Sequence, residues 1–244
     1  MTNDLSRYDK KLEHILRTSA RIFAEKSYHS TSMRDIARET EVSLSGLYHY
    51  CKSKEELLYL IQDHCFGRVS ERLEERIKTV SDPFEKLRIL IDNHLSFFAA
   101  NMAEMKVLSH EAESLAGDLH KHVTTKKERY ARLARKILKE IQEQAETRTG
   151  GPQAGSPLGV GRSGRVQSPR TNINSRVDLT VSTYALFGMM NWIYNWYDPT
   201  GKLSVHQLVD NITRLFLNGF LSSSTERLGM PAPRTEKISV WRTA

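Results

Sequence analysis

Cysteine is scarce in this chain: two residues in 244, Cys51 and Cys65, too few for a disulfide framework. They lie on what should be one turn and one helix, and a reducing compartment is the consistent setting. No apolar run reaches the length of a membrane span, and the polar opening Met-Thr-Asn-Asp-Leu-Ser-Arg holds no signal-peptide core. A cytoplasmic protein without a membrane partner is expected. Catalytic machinery is missing too. His120 and His122 are spaced i, i+2, which turns their rings to different sides of a helix, and His64, His94 and His110 have no neighbouring Cys or acidic ligand pattern. No Gly-rich phosphate loop follows a strand. No catalytic residue, metal site or cofactor is therefore expected, and the chain does not read as an enzyme.

What is present is enough apolar material, 39% of residues, for one small and one medium domain. The formal net charge of +7 favours polyanionic partners. Residues 1–54 hold ten Lys/Arg against seven Asp/Glu, so charge alone is weak evidence and the pattern has to carry the argument.

That pattern is densest at residues 31–58. Ile36, Ala37 and Thr40 recur at helical spacing after Thr31 and Ser32, Val42 fills the corner, and Ser43 opens a second short helix as its N-cap. Ala37 is the small residue at which the two helices meet, and Leu47 pins the second against the first. This is a helix-turn-helix, which places its second helix in the major groove of DNA. Docked in that way, Leu44, Ser45, Gly46 and Tyr48 face base edges, while His49, Tyr50 and Lys54 reach phosphates along the flanks. With no Arg, Asn or Gln on that helix, specificity should rest on Tyr48, Ser45, contact of Leu44 with thymine methyls, and Arg34 from the helix before. The hydroxyls of Thr31 and Ser32 and the helix start at Ser53-Lys54-Glu55 offer further phosphate contacts.

The run Val42-Ser43-x-x-x-Leu47-Tyr48-His49-Tyr50, followed by Lys52-Ser-Lys-Glu-Glu-Leu-Leu58, resembles the DNA-binding domain of the TetR family of bacterial repressors, over residues 8 to 60. The resemblance implies a homodimer of all-helical subunits that represses transcription from a double-stranded DNA operator until a small molecule binds the larger domain. One departure stands out: the turn position usually taken by Gly is Glu41. At φ > 0 a non-glycine residue there costs roughly 1 kcal/mol or more.

Leu12, Ile15, Leu16, Ser19, Ala20 and Phe23 give a preceding helix that covers the two short ones. From Lys54 a long connecting helix runs through Leu57, Leu58, Ile61 and Val69 toward Ile77. Asp82-Pro83 starts another, Val107 to Leu115 indicates a further one, and Gly117-Asp118 precedes a long helix with a basic, solvated face through Ile141. Residues 147 to 170 hold six Gly, three Pro, four Arg and no acidic residue, the composition of a flexible insertion. After Asn174-Ser175 an apolar helix runs from Val177 to Trp196, a turn follows at Tyr197–Gly201, and Leu203-Ser204 opens a final helix. Both helices look apolar on more than one face, a surplus that a two-fold four-helix interface would cover. The expected architecture is all-α: a helix-turn-helix DNA-binding domain at 1–53, an effector-binding and dimerisation domain at 54–224 with a flexible insertion at 147–172, and a disordered tail at 225–244.

The second domain is larger than dimerisation alone requires. Phe97, Phe98, Met102, Met105 and Leu108, with Tyr130, Tyr184, Phe187 and Trp192 from later helices, are candidates to line an apolar effector cavity. The segment Gly188-Met-Met-Asn191-Trp192-Ile-Tyr-Asn-Trp196-Tyr197-Asp-Pro-x-Gly201-Lys-Leu-Ser204 is similar to TetR-family regulators of fatty-acid or sterol-ring degradation that respond to acyl-CoA thioesters. This resemblance implies an acyl chain in the cavity and Arg129 and Arg132 as candidates for a CoA phosphate. A regulator of multidrug efflux, which would favour acidic cavity residues, and an effector-free DNA-architectural binder are the alternatives.

Overall fold

Serines three residues ahead of a backbone N–H set the first four helix starts. Ser6, Ser32, Ser43 and Ser53 accept from the N–H groups of Asp9, Asp35, Gly46 and Glu56. At Ser6 and Ser32 the Asp carboxylate accepts the cap's own N–H in return. Each such cap contributes about 1 kcal/mol relative to Ala. In the computed structural model, which describes residues 6–149 and 177–220, they open α1 (Arg7–Lys26), α2 (Met33–Glu39), α3 (Leu44–Tyr48) and α4 (Lys54–Ile77). Then come α5 (Pro83–Ala99), α6 (Met102–His110), α7 (Gly117–Thr149), α8 (Leu179–Asn191) and α9 (Val205–Phe220). No strand occurs among the described residues, and the all-α expectation holds.

Several boundaries differ from the sequence reading. The helix expected to reach Leu115 stops at His110; Ala112–Ser114 is a single 3₁₀ turn and Leu115 is extended. Gly117, at φ +55°, then turns the chain into α7. Asp178 caps α8 by accepting from the Thr180 and Val181 N–H groups at 2.7 and 3.0 Å, so the helix does not take in Val177. It also ends at Asn191 rather than Trp196, because Trp192–Asn195 tightens into a 3₁₀ turn. The helix α7 continues to Thr149, two residues past the start of the break expected at 147. Asn174 and Ser175, the remainder of the insertion at 150–172, and the tail at 225–244 lie outside the described residues.

Two apolar cores result, and α4 belongs to both. Its first half gives Leu57, Leu58 and Ile61 to the core built on Ile15, Phe23, Ile36 and Leu47. Its second half gives Cys65, Val69 and Leu73 to the core of α5, α7, α8 and α9. At 24 residues it is about 36 Å long. The first core also takes in Val107, Leu115 and Val123, and α1 is tied to α6 where the Lys106 ammonium donates to the Ala24 carbonyl at 2.7 Å. The helix-turn-helix unit is thus seated on α4 and α6 together.

Candidate nucleic-acid interface and effector cavity

The turn between α2 and α3 depends on three close contacts. Glu41 adopts φ 53°, the left-handed conformation that glycine would take without strain. Ala37 and Leu47 are buried where the helices cross. Gly46 keeps this corner tight, because a Cβ there would lie 3.0 Å from both Val42 Cγ1 and Ser43 Oγ, and those side chains would have to give way. Gly46 therefore lets α3 sit close to the turn, and the residues left to meet a ligand are its neighbours.

Arg34, Ser45, Tyr48 and His49 are exposed, and Tyr48 keeps 47% of its surface. Ser32 and Ser43 are exposed as well, with hydroxyls engaged in their caps. Leu44 is half buried against the first core, which leaves part of the side chain to face outward. Tyr50 is half buried and stacks on Tyr8 with ring centroids 4.9 Å apart.

Two of the expected phosphate contacts are corrected. The Thr31 side chain is buried and its hydroxyl donates to the Ser27 carbonyl at 2.8 Å. The Lys54 ammonium donates to the carbonyls of Tyr28, His29 and Thr31 at 2.9, 3.4 and 3.0 Å and lies 4.4 Å from the centre of the Tyr28 ring. An ammonium has three donors, and all three are taken by the turn between α1 and α2. Lys54 is a clamp on that turn. Lys52, two positions earlier and exposed, carries the other ammonium of the Lys-x-Lys pair.

In the larger domain, α4 to α8 enclose a cavity of about 850 Å³, within the range of small-molecule sites. Of the ten candidate effector residues, Phe98, Met105, Leu108, Tyr130, Tyr184, Phe187 and Trp192 line it. Three do not. Phe97 faces a separate polar cleft beside Arg17 and Arg68, and Met102 is half buried against the second core. The Arg129 guanidinium is held on α4 by Glu74, with Nη2 to the two carboxylate oxygens at 2.8 and 2.9 Å. Arg132 pairs with Glu128 on its own helix at 3.5 Å. The cation at the rim is instead Lys127, and the acidic lining residues Glu113 and Glu128 are exposed beside it. The buried wall carries no carboxylate among its described residues.

Sequence reasoning did not place His94, Gln62 and Asn191 in this cavity, and all three line it. His94 is buried among Phe98, Tyr130 and Phe187 with ring centroids 4.7 to 6.0 Å away. Burial pushes its pKa down to about 3, and the neighbouring Asn191 side chain opposes the shift without closing a hydrogen bond. Between that value and the unfolded one near 6.5, the unfolded chain binds a proton that the folded chain refuses. Stability should therefore fall as pH drops from 7 toward 4, by up to about 1.4 kcal/mol per pH unit from this group. His94→Phe should flatten that slope in urea melts at pH 7 and pH 5; an unchanged slope would place the proton elsewhere.

Among the described residues, no helix is long and apolar enough to cross a membrane, and no group of three or more His, Cys, Asp and Glu is placed to hold a metal ion.

An exposed tyrosine-bearing short helix on a tight turn, seated on a second helical domain, is the arrangement of a helix-turn-helix DNA-binding regulator. Residues 15–59 match the family described as bacterial regulatory proteins, tetR family, and residues 80–154 and 170–220 match the tetracyclin repressor-like C-terminal domain. The chain belongs to the TetR family, whose members are transcriptional regulators that bind operator DNA. It is similar to the HTH-type transcriptional repressor KstR2 of Mycolicibacterium smegmatis, 26% identical over 88% of this chain and 93% of that one. It is also similar to the fatty acid metabolism regulator protein of Bacillus subtilis, 32% identical over 37% of this chain. That match spans about half of the relative, 47% of its length. The fold is shared with AibR, solved in complex with isovaleryl coenzyme A and operator DNA, at a TM-score of 0.64 and 24% identity over 84% of this chain and 97% of that one.

Proposed function

We propose that this chain is a TetR-type repressor that binds a palindromic operator as a homodimer and is released by a hydrophobic effector, an acyl-CoA, held in the α4–α8 cavity. In this reading residues 1–53 read DNA and residues 54–224 sense the effector and dimerise. Arg34, Ser45, Tyr48 and His49 form the reading surface, and Lys52 contacts phosphate. The observation that carries the effector reading is the cavity itself, which has apolar walls, no buried carboxylate and Lys127 at its rim. A cationic drug would find no buried charge to match its own. An apolar acyl group fits the walls, and a CoA phosphate has a cation at the mouth. The AibR complex holds isovaleryl coenzyme A, a ligand of this class, and the Bacillus subtilis relative is a regulator of fatty acid metabolism.

The cavity is also joined to the DNA-binding unit by a short chain of hydrogen bonds. Gln62 lines the cavity from α4, and its amide donates to the Glu111 carbonyl at 3.3 Å. The Glu111 carboxylate accepts from the Tyr28 N–H at 3.3 Å and from the Ser114 hydroxyl at 2.7 Å. Tyr28 in turn lies in the turn that Lys54 clamps. A ligand that displaces Gln62 shifts α4 and the seat of α1 together, and changes the spacing of the two recognition helices, which must enter grooves about 34 Å apart.

Titrating acyl-CoAs of four to sixteen carbons into a protein–operator mixture should weaken operator binding by about 5- to 150-fold for the best chain length. No change at any length would remove the acyl-CoA reading. Glu111→Ala should retain both ligands singly while moving that ratio toward one, by about 0.5–2 kcal/mol of coupling. Full coupling in the variant would exclude this route.

A further inference from the structure

On the most deeply buried wall of the cavity, three polar atoms have no hydrogen-bond partner. They are Nδ1 and Nε2 of His94 and the hydroxyl of Tyr130, which lie near the side chains of Asn191 and Asn93 respectively without closing a hydrogen bond to them. Both residues line the cavity and both are almost wholly buried, at 3% exposure each. The two rings lie 6.0 Å apart at an interplanar angle of 18° and so do not bond each other. Leaving a buried polar group without a partner costs roughly 1–3 kcal/mol, and Phe at either position would pack the same wall without that cost. A neutral imidazole offers one donor and one acceptor, and a phenol offers one donor.

On the reading that this cavity holds the effector, we infer that Tyr130 and His94 form a polar recognition point that hydrogen-bonds an oxygen, carbonyl or hydroxyl, of an otherwise apolar ligand. Two sources supply such an oxygen: the thioester carbonyl common to all acyl-CoAs, or a keto or hydroxyl group on the acyl chain itself. A site built to bond an oxygen rejects the analogue that lacks it, because its own buried groups are then left unpaired.

The test uses the full chain, Tyr130→Phe, and three probes: hexanoyl-CoA, 5-oxohexanoyl-CoA and the CoA-free ketone 2-octanone. Affinities are read from the fluorescence of Trp192 at the cavity wall, and folding of the variant is checked by its melting temperature. Loss of about tenfold or more in the variant for 5-oxohexanoyl-CoA alone assigns the bond to an acyl-chain oxygen. An equal loss for both esters assigns it to the thioester carbonyl, and either result supports the inference. Equal affinity of the parent and the variant for all three probes overturns it. If neither ester binds the parent while 2-octanone binds and is weakened in the variant, the acyl-CoA reading fails and the oxygen recognition stands. If no probe binds the parent, both fail.

Discussion

Tyr48→Ala is expected to weaken operator binding by about 30-fold or more, and Arg34→Ala by a similar amount, without loss of melting temperature. Both side chains are exposed on the helix-turn-helix, so truncation removes nothing from the core. A good side-chain contact to a base is worth about 1–3 kcal/mol. In a two-fold complex each substitution is made twice, so the loss doubles to about 2–6 kcal/mol, and each 1.4 kcal/mol is a factor of ten. The measurement is fluorescence anisotropy on a promoter fragment at one fixed salt concentration, repeated at a second. A side chain that touches phosphate alone should lower affinity equally for all sequences and reduce the salt slope by about one counterion per contact. Lys54→Met is the control in the opposite sense. It removes the donor to three carbonyls, so melting temperature should fall. Unchanged operator affinity in both Tyr48→Ala and Arg34→Ala would take this face out of the groove.

The contrast between Lys52 and Lys54 shows where sequence reasoning stops. Both stand in Lys52-Ser53-Lys54, and local pattern gives no reason to prefer one. The choice is made by the turn between α1 and α2, more than twenty residues away, whose carbonyls need a donor. Arg129 is the same case. Its position on a basic helix face was legible, but the Glu74 that holds it is 55 residues away. Features fixed by near neighbours came through well: the helix starts at Ser32, Ser43 and Ser53, Pro83 at a helix start, the small Ala37 and the anchor Leu47. Glu41 also belongs here, since its place between two helices demands a left-handed residue whatever the side chain. The end of α8 did not come through, because Trp192-Ile-Tyr-Asn195 suits an α-helix as well as the 3₁₀ turn that packing selects. Seven cavity residues were found from the apolar pattern. The place of His94, core or pocket, stayed open because a lone histidine on an apolar face carries no local mark of whether its ring meets a partner or a cavity.

Charge placed on the outer face of α8 and α9 is expected to split the proposed homodimer and, with it, operator binding. Val181, Tyr184, Ala185, Gly188 and Trp192 recur at i, i+3, i+4, i+7 and i+11, and all are exposed, Val181 at 60% and Tyr184 at 61%. The stripe follows α8 into the 3₁₀ turn at Trp192; Tyr184, Gly188 and Trp192 also line the cavity, and the opposite side of α8 fills the second core. The sequence pattern promised such a surplus on both helices, but among the side chains described on α9 one large apolar residue is exposed. Leu215 is exposed at 67%, while Gln207, Asn211, Arg214 and Asn218 on the same helix are polar. A two-fold contact centred on α8, with Leu215 at its edge, fits this distribution better than two equal partners. Val181→Glu with Leu215→Glu is the informative variant, because neither residue lines the cavity and effector binding should survive. Each lost apolar burial is worth about 1.5–3 kcal/mol and occurs in both subunits, and four carboxylates would have to be buried face to face. Light scattering at about 10 μM should show the mass falling to one chain, and operator affinity should drop by at least about a thousandfold, since each half-site would then be bound alone. A dimer that persists in this variant, with operator binding intact, would move the two-fold contact to another face of the molecule.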